Sequence, residues 1–274
     1  MTGNFRIGLF TSAWDQVAWD LVEEISQNFQ VDFVFVNREE GETHFGDLMI
    51  RNVRTVGLPL ITFSSLRFKP ELRKMNREAW RLEHDRKVMK LLPTVDLIVL
   101  VGSMWWFSSQ MCQKRTAINL HPALPDGQKG NYREVIYQLI QQRASETGVM
   151  MHLVTPELDR GPVIAFCRFS IRGKDFDSLW EEMEKRLEKE SLEEIAEKEG
   201  ENNPLFAIIR KYGTVREFPL IIWTIRILAE GRIRIKNGRV IASGGQVLEG
   251  GYDLTKEIDA AINLKGGKLN VWKK

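Results

Sequence analysis

DLIVLVG, residues 96–102, is a continuous apolar run bounded by an acidic residue and a glycine. It does not alternate polar with apolar, so both of its faces are buried, as in a strand of a parallel sheet covered by helices on each side. Runs of the same kind lie upstream: FRIGLF (5–10), VDFVFVN (31–37) and PLITF (59–63). Between the first two, WDQVAWDLVEEISQ (14–27) has the spacing of an amphipathic helix. A polar connection with Gly41 and Gly46 follows the second, and residues 70–91 predict one long charged helix with apolar positions at Leu72, Met75, Ala79, Leu82 and Met89. Downstream, TAINLHPAL (116–124) is a strand ended by Pro122 and Pro125. A helix over 131–145 and two more strands, GVMMHLVT (148–155) and VIAFCRFSI (163–171), come next.

Strands separated by helices imply βαβ units, hence an α/β, Rossmann-like, mostly parallel sheet with flanking helices. Ligands of such sheets sit beyond the carboxyl ends of the strands. That directs attention to Thr11–Asp15, Gly102–Phe107 and Asn119–Pro125. After residue 172 the character changes. Residues 175–201 hold twelve acidic and four basic side chains, the composition of a solvated, mostly helical insertion. NPLFAIIRKYG (203–213) and EFPLIIWTIRILAEG (217–231) predict two further helices, and RIRIKNGRVIAS (232–243) a hairpin turning at Asn237-Gly238. The last thirty residues read as a tail packed on the core. The expected organisation is a core over 1–172, a helical insertion and closing helix over 173–231, and a hairpin and tail over 232–274.

The chain has 274 residues, 43% hydrophobic and 28% charged, with a net charge of +2, so no global charge argues for nucleic acid or an anionic membrane. Cys112 and Cys167 are too few for a disulfide framework or a structural zinc site, and no metal is expected. The most apolar long stretch, FPLIIWTIRILA (218–229), contains Arg226 and falls short of the ~20 residues that span a bilayer. MTGNFRIGLF is too short for a signal peptide, and a cytoplasmic protein is expected. Residues 67–90 hold nine basic and four acidic side chains. That is either a solvated face or an edge turned toward an anion, a phosphate or a polycarboxylate tail. No G-x-G-x-x-G follows the first strand, which speaks against a nicotinamide dehydrogenase.

Two elements carry candidate chemistry. Asn119 and His121 are two apart on a strand and share a face, and Pro122 leaves both near its carboxyl end. Asn supplies a carboxamide donor, and His an imidazole that holds or gives a proton. Together they can stabilise an oxyanion and move protons, although a capping Asn and a core His would look the same. In the second element, a strand with His152 runs into a loop with Glu157, Asp159, Arg160, Gly161 and Pro162. That loop suits backbone contact with a flat heterocycle, and its aspartate could pair with an imidazole.

INLHPALP (118–125) followed by HLVTPELDRGPVI (152–164) resembles the folate-dependent formyltransferase family, most of all its glycinamide ribonucleotide branch. FPLIIWTIRILAEGRI (218–233) is similar to that family's late helix, and about 200 residues are covered in all. The resemblance implies a formyltransferase fold, 10-formyltetrahydrofolate as co-substrate, and transfer of its formyl group to a primary amine, glycinamide ribonucleotide of purine biosynthesis first among them. It implies catalytic roles for Asn119 (oxyanion donor), His121 (proton carrier) and Asp159 (raising the pKa of the His and orienting a water). It implies folate contacts at Arg77, at Thr155, Pro156, Glu157 and Leu158, and at Met104, Trp105, Trp106 and Phe107, which would otherwise be a core aromatic cluster. The acceptor would meet Ser12, Asp15 and Gln16, where the family's glycine-rich phosphate loop is altered and Asp15 would repel a phosphate. Thr214 stands where the family has a substrate-contacting Glu, with Glu217 offset from it, and Pro125–Gly130 continues the motif differently. The partners implied are a small amine and folate, without nucleic acid or membrane, and a homodimer is left open. Three alternatives remain. One is another amine, such as an amino sugar. Another is a formyltetrahydrofolate deformylase, which would expect a regulatory domain where nothing fits before Phe5. The third is a non-catalytic folate-binding protein.

Overall fold

The structure, a computed structural model, describes residues 5–13, 15–102 and 107–264. Its elements run β1 (Ile7–Thr11), α1 (Gln16–Asn28), β2 (Val31–Val36), α2 (His44–Thr55), β3 (Leu60–Thr62), α3 (Pro70–Met75), α4 (Arg77–Leu91), β4 (Leu97–Val101), α5 (Ser109–Lys114) and β5 (Ala117–His121). There follow α6 (Tyr132–Gln141), β6 (Glu146–Leu153), β7 (Val163–Ser170), α7 (Asp177–Leu187), α8 (Leu192–Glu199), α9 (Pro204–Ala229), β8 (Ile233–Lys236), β9 (Arg239–Ala242), β10 (Tyr252–Asp253) and α10 (Thr255–Leu264). Eight strands form one sheet in the order β10-β7-β6-β5-β4-β1-β2-β3, with β8 and β9 a separate pair. The expected α/β sheet with flanking helices is what the chain adopts.

Two compact units divide the chain. The first takes the residues up to Asn119 together with His152–Gly161; the second takes Leu120–Met151 and the described residues from Pro162 on. In the first unit, β1 and β4 are buried along their whole lengths and pair in parallel, Ile7 opposite Leu97 and Phe10 opposite Leu100. That double burial is what a non-alternating apolar run requires. β2 flanks β1 on the other side and β3 flanks β2, both in parallel. Phe10, Phe33, Phe35, Ile98 and Leu100 fill one core, with Phe10 stacked 4.4 Å from Phe35. Gly102 ends β4 at φ +51, where an added Cβ would lie 2.8 Å from that of Ala18, so α1 can close over the strand only because no side chain intervenes.

The polar connection after residue 37 contains a helix, α2. Thr43 caps it by accepting from the Gly46 N–H (3.1 Å), and Met49, Ile50 and Val53 are buried. The long helix expected over 70–91 is two helices. Asn76, extended at φ −148°, closes α3 through its N–H to the Leu72 carbonyl (2.7 Å), and its side chain caps α4 by accepting from the Ala79 N–H (2.9 Å). The buried face of α4 is Trp80, His84, Asp85 and Val88, while Met75 is 85% exposed.

In the second unit, α7 and α8 contribute Trp180, Met183 and Ile195 to a core shared with α6 (Val135, Leu139) and with Phe206 and Ile209. The acidic segment is therefore helical but anchored by one buried stripe. The two helices expected over 203–231 are the single helix α9. Gly213 lies inside it, buried, and Pro219 is accommodated within the turn. Burial along both halves of α9 outweighs the roughly 1 kcal/mol helical cost of a glycine. The hairpin forms as expected, with Asn237 at φ +52 and Gly238 at φ +69. The C-terminal segment adds β10, parallel to β7, and α10. Among the described residues no helix is long and apolar enough to cross a membrane.

Candidate active site

β5 pairs in parallel with β4, Ile98 opposite Ala117 and Val99 opposite Ile118. Its alternation carries Asn119 and His121 on one face. Asn119 is half-buried and His121 is buried. The His121 Nε2 lies 3.1 Å from the Gln128 carbonyl oxygen. A carbonyl only accepts, so this contact assigns a ring hydrogen to Nε2. Gln128 belongs to the divergent loop after Pro125, which a tight turn (Gly127 N–H to Leu124 carbonyl, 2.9 Å) folds back toward β5.

The segment His152–Gly161 lies in the first unit, tied to β5 by the Val154 N–H donating to the Ala117 carbonyl (2.8 Å). The Thr155 hydroxyl donates to the Glu157 carbonyl (2.8 Å) and curls the loop. Leu158 is 55% exposed, an apolar side chain turned to solvent where a flat ring could cover it. Asp159 sits at φ +52, in the left-handed region that a non-glycine residue enters at a cost of roughly 1 kcal/mol or more. There its Oδ1 lies 3.4 Å from the Nε2 of His152, a buried imidazole whose Nδ1 faces the Leu153 carbonyl at 3.1 Å. The sequence marks His152 only as part of a strand; the loop's backbone conformation, which no residue pattern announces, brings it to Asp159.

On the first loop, Asp15 is the N-cap of α1, its Oδ1 accepting from the Ala18 N–H (3.1 Å). Ser12 is buried, and its hydroxyl accepts from the Asn37 carboxamide (3.0 Å). Gln16 donates to Asp20 (2.9 Å). Met104, Trp105 and Trp106 lie outside the described residues. Phe107 is a core residue, contrary to its expected folate contact. It is fully buried and packs edge-on to Phe10 at 5.3 Å, so no face is left for a pterin. Arg77 opens α4 and is exposed. In α9 the Thr214 hydroxyl donates to the Arg210 carbonyl (2.9 Å), and Glu217 pairs with Arg210.

Two groupings went unread in the sequence. Arg38, at the end of β2, gives three bonds through Nη1: to the Asn37 carbonyl (2.8 Å), to the Asn37 Oδ1 (3.0 Å) and to the Ser65 hydroxyl (2.7 Å). Asp85 is fully buried beside His84 and accepts from the Ser108 N–H at 2.6 Å. Neither cysteine suits a nucleophile. Burial pushes the Cys167 thiol up to about 12, and burial followed by the charge of Asp85 pushes Cys112 up to about 11.

A family model described as formyl transferase matches residues 61–197, half of the chain. The chain belongs to the formyl transferase family. The matched span includes β5 and the Thr155–Asp159 loop, and the enzyme class expected from the sequence is borne out. A phosphoribosylglycinamide formyltransferase of Dictyostelium discoideum is 26% identical over 191 residues, covering 66% of this chain and 89% of that protein. Solved structures share the formyl transferase fold. The phosphoribosylglycinamide formyltransferase of Coxiella burnetii superposes with a TM-score of 0.58 at 19% identity, covering 91% of this chain and 98% of its own. A formyltetrahydrofolate deformylase of Pseudomonas syringae gives 0.55 at 18% identity, covering 88% of this chain and 67% of its own.

Proposed function

We propose that this formyl transferase moves the formyl group of 10-formyltetrahydrofolate to a primary amine, with glycinamide ribonucleotide the first acceptor to try. The observation that carries the reading is strand β5, which presents a carboxamide and an imidazole on one face inside the span matched by the family. The amine nitrogen attacks the formyl carbon, and a tetrahedral intermediate forms with its oxygen negative. The Asn119 carboxamide donates to that oxygen. The His121 imidazole takes the proton released by the amine and returns it to the folate nitrogen, which departs when protonated. The carbon–nitrogen bond to the folate breaks, and tetrahydrofolate and the N-formyl amine leave. Asp159 orients an imidazole and the water that carries the proton, and the exposed Leu158 with the curled Thr155–Glu157 backbone receives the pterin. Arg77 meets the folate's carboxylates. The enzyme is expected to work in the cytoplasm and without nucleic acid.

Tetrahydrofolate release from 10-formyltetrahydrofolate, followed with and without glycinamide ribonucleotide, tests this reading. Release that requires the ribonucleotide and disappears in His121→Ala, with folate binding kept within a few fold, supports it. Equal release in both tubes, with formate as product, would make the protein a hydrolase. Undiminished release by His121→Ala would refute the role of that imidazole.

A further inference from the structure

Arg38 and Arg73 converge on one residue of the first unit. Arg38 donates to the Ser65 hydroxyl at 2.7 Å, and Arg73 to the Ser65 carbonyl at 3.0 Å. Ser65 is itself buried and fixed by its N–H to the Asn37 carbonyl (3.1 Å). Both arginines are half-buried, and among the described residues no carboxylate forms an ion pair with either. Burial lowers the pKa of each guanidinium; at Arg38 the Glu42 carboxylate opposes this in part and Arg73 adds to it, and at Arg73 the charge of Arg77 adds to it. Glu42 acts on Arg38 electrostatically, but its direct partners are other groups. It pairs with Arg67 (2.9 Å), accepts from the Ser64 hydroxyl and accepts from the Glu39 N–H (2.9 Å).

A cluster of like charges, half removed from water and, among the described residues, without a direct ion pair, is unfavourable by itself and is relieved by an anion. Each guanidinium has donors to spare. Among the described residues the bonds of Arg38 all use Nη1, and that of Arg73 does too, which leaves Nε and Nη2 of both for a ligand. The Arg73 guanidinium lies over the Trp80 ring at 4.8 Å, a cation–π contact that helps hold it. Two forks held in this way match an oxyanion that accepts several hydrogen bonds. The cluster stands at the carboxyl ends of β2 and β3, on the edge of the sheet where α/β proteins bind ligands. Asn37 links it to Ser12 of the first loop (3.0 Å). On that loop the start of α1 is already occupied by the Asp15 carboxylate.

We propose that Arg38 and Arg73 bind a doubly charged oxyanion, the phosphoryl group of a phosphorylated amine acceptor. The proposal rests on the formyl-transfer reading for its acceptor; the oxyanion site itself does not depend on it.

The test is equilibrium dialysis of inorganic phosphate against the full chain at low ionic strength. The wild type is compared with Arg73→Gln, and with Arg54→Gln as a charge-loss control in the same unit. Thermal melts establish that each variant is folded, and Arg73→Lys replaces Arg73→Gln if the latter is not. One saturable equivalent is expected, weakened about tenfold or more by Arg73→Gln, the loss of charge-assisted bonds, and left alone by Arg54→Gln. A fork-specific site also requires that Arg73→Lys bind more weakly than wild type. Binding within twofold of wild type in the Arg73 variants, equal loss in Arg54→Gln, or tightening in Asp15→Ser would overturn the site. Competition with polyglutamyl tetrahydrofolate separates the two sources of oxyanion. Displacement of phosphate by the polyglutamate, together with an Arg73→Gln effect on the KM of the folate alone, would overturn the acceptor assignment. Normal phosphate binding without tetrahydrofolate release on any amine would refute formyl transfer and leave the site standing.

Discussion

Gly161→Ala is expected to cripple turnover out of proportion to its size. A Cβ at position 161 would lie 1.7 Å from the Leu153 carbonyl oxygen, 2.8 Å from the Leu153 carbonyl carbon and 3.1 Å from the Thr155 Cγ2. Two of these atoms are backbone, so no rotamer change relieves the clash. To bring the first contact to 3.0 Å, the strand end and the loop must separate by more than 1 Å. The Leu153 carbonyl also faces the His152 Nδ1 at 3.1 Å, and the same short segment holds Asp159 at 3.4 Å from His152. The displacement therefore disturbs these two contacts of that imidazole. Overpacking of this kind costs about 1–3 kcal/mol, or roughly 2–4 °C in Tm per kcal/mol in a protein of this size. A misplacement of about 1 Å near reacting groups costs up to ~100-fold in rate. Differential scanning calorimetry and the tetrahydrofolate-release assay read the two effects. If Gly161→Ala melts within a degree of wild type and turns over within twofold, the loop is not constrained as argued here and Asp159 is not held in place by it.

Asp159→Asn keeps a residue that tolerates φ +52 but removes the charge facing His152. Turnover should fall ~10²–10⁴-fold with the melting temperature little changed, and a steady-state comparison showing less than a tenfold loss would take Asp159 out of catalysis. Asp85→Ala leaves the Ser108 N–H without its acceptor in a fully buried place and should cost about 2–4 kcal/mol; a urea midpoint equal to wild type would refute that. The two thiols are raised in the folded state and near their ordinary value when unfolded, so above about pH 9 the unfolded chain has lost protons that the folded chain keeps. The thiol contribution is thus fully present below about pH 8 and falls as the pH rises from about 9, toward about 11 for Cys112 and about 12 for Cys167. Melts of wild type and Cys167→Ala across that range should converge as the pH rises, and parallel curves would contradict the burial argument.

The fold was legible where burial on two faces left no choice. β1, β2 and β4 are buried almost completely, and their apolar runs, broken in β2 only by Asp32, say so. Element boundaries failed where one side chain settles a local competition. Asn76 splits residues 70–91 because its carboxamide serves the next helix better than its backbone continues the previous one. In α4 the inward face carries His84 and Asp85, so the apolar periodicity pointed to positions such as Met75 that are exposed. α2 was hidden behind a polar, glycine-containing segment whose buried residues, Met49, Ile50 and Val53, make only a narrow stripe. Of the candidate site, Asn119 and His121 were readable because strand spacing fixes their common face. The meeting of Asp159 with His152 depends on a left-handed backbone, and that of Arg38 with Arg73 joins residues far apart in sequence through Ser65.

The first loop decides how an anionic acceptor can be held. The start of a helix attracts an anion with about 0.3–1 kcal/mol at an exposed site. In this chain Asp15 already supplies that anion and takes one of the free N–H groups. A second negative charge about 4 Å from the carboxylate would meet a repulsion on the order of 4 kcal/mol at an effective dielectric of 20. Repulsion exceeds the helix's attraction several-fold, so a phosphate is driven from the position that a glycine-rich loop would offer. The guanidiniums of Arg38 and Arg73 would reverse the sign: among the described residues no carboxylate forms an ion pair with them, and Asn37 links them to the same loop. If the proposed site holds, an acceptor bearing a phosphate is accommodated only where that phosphate reaches them, and an acceptor that does not reach them is expected to be neutral or cationic where it passes Asp15. Comparing KM for a phosphorylated amine and its dephosphorylated counterpart therefore separates the two: a lower KM for the phosphorylated form that is lost in Arg73→Gln identifies the arginine pair, and a lower KM for the dephosphorylated form identifies Asp15 as the residue that selects.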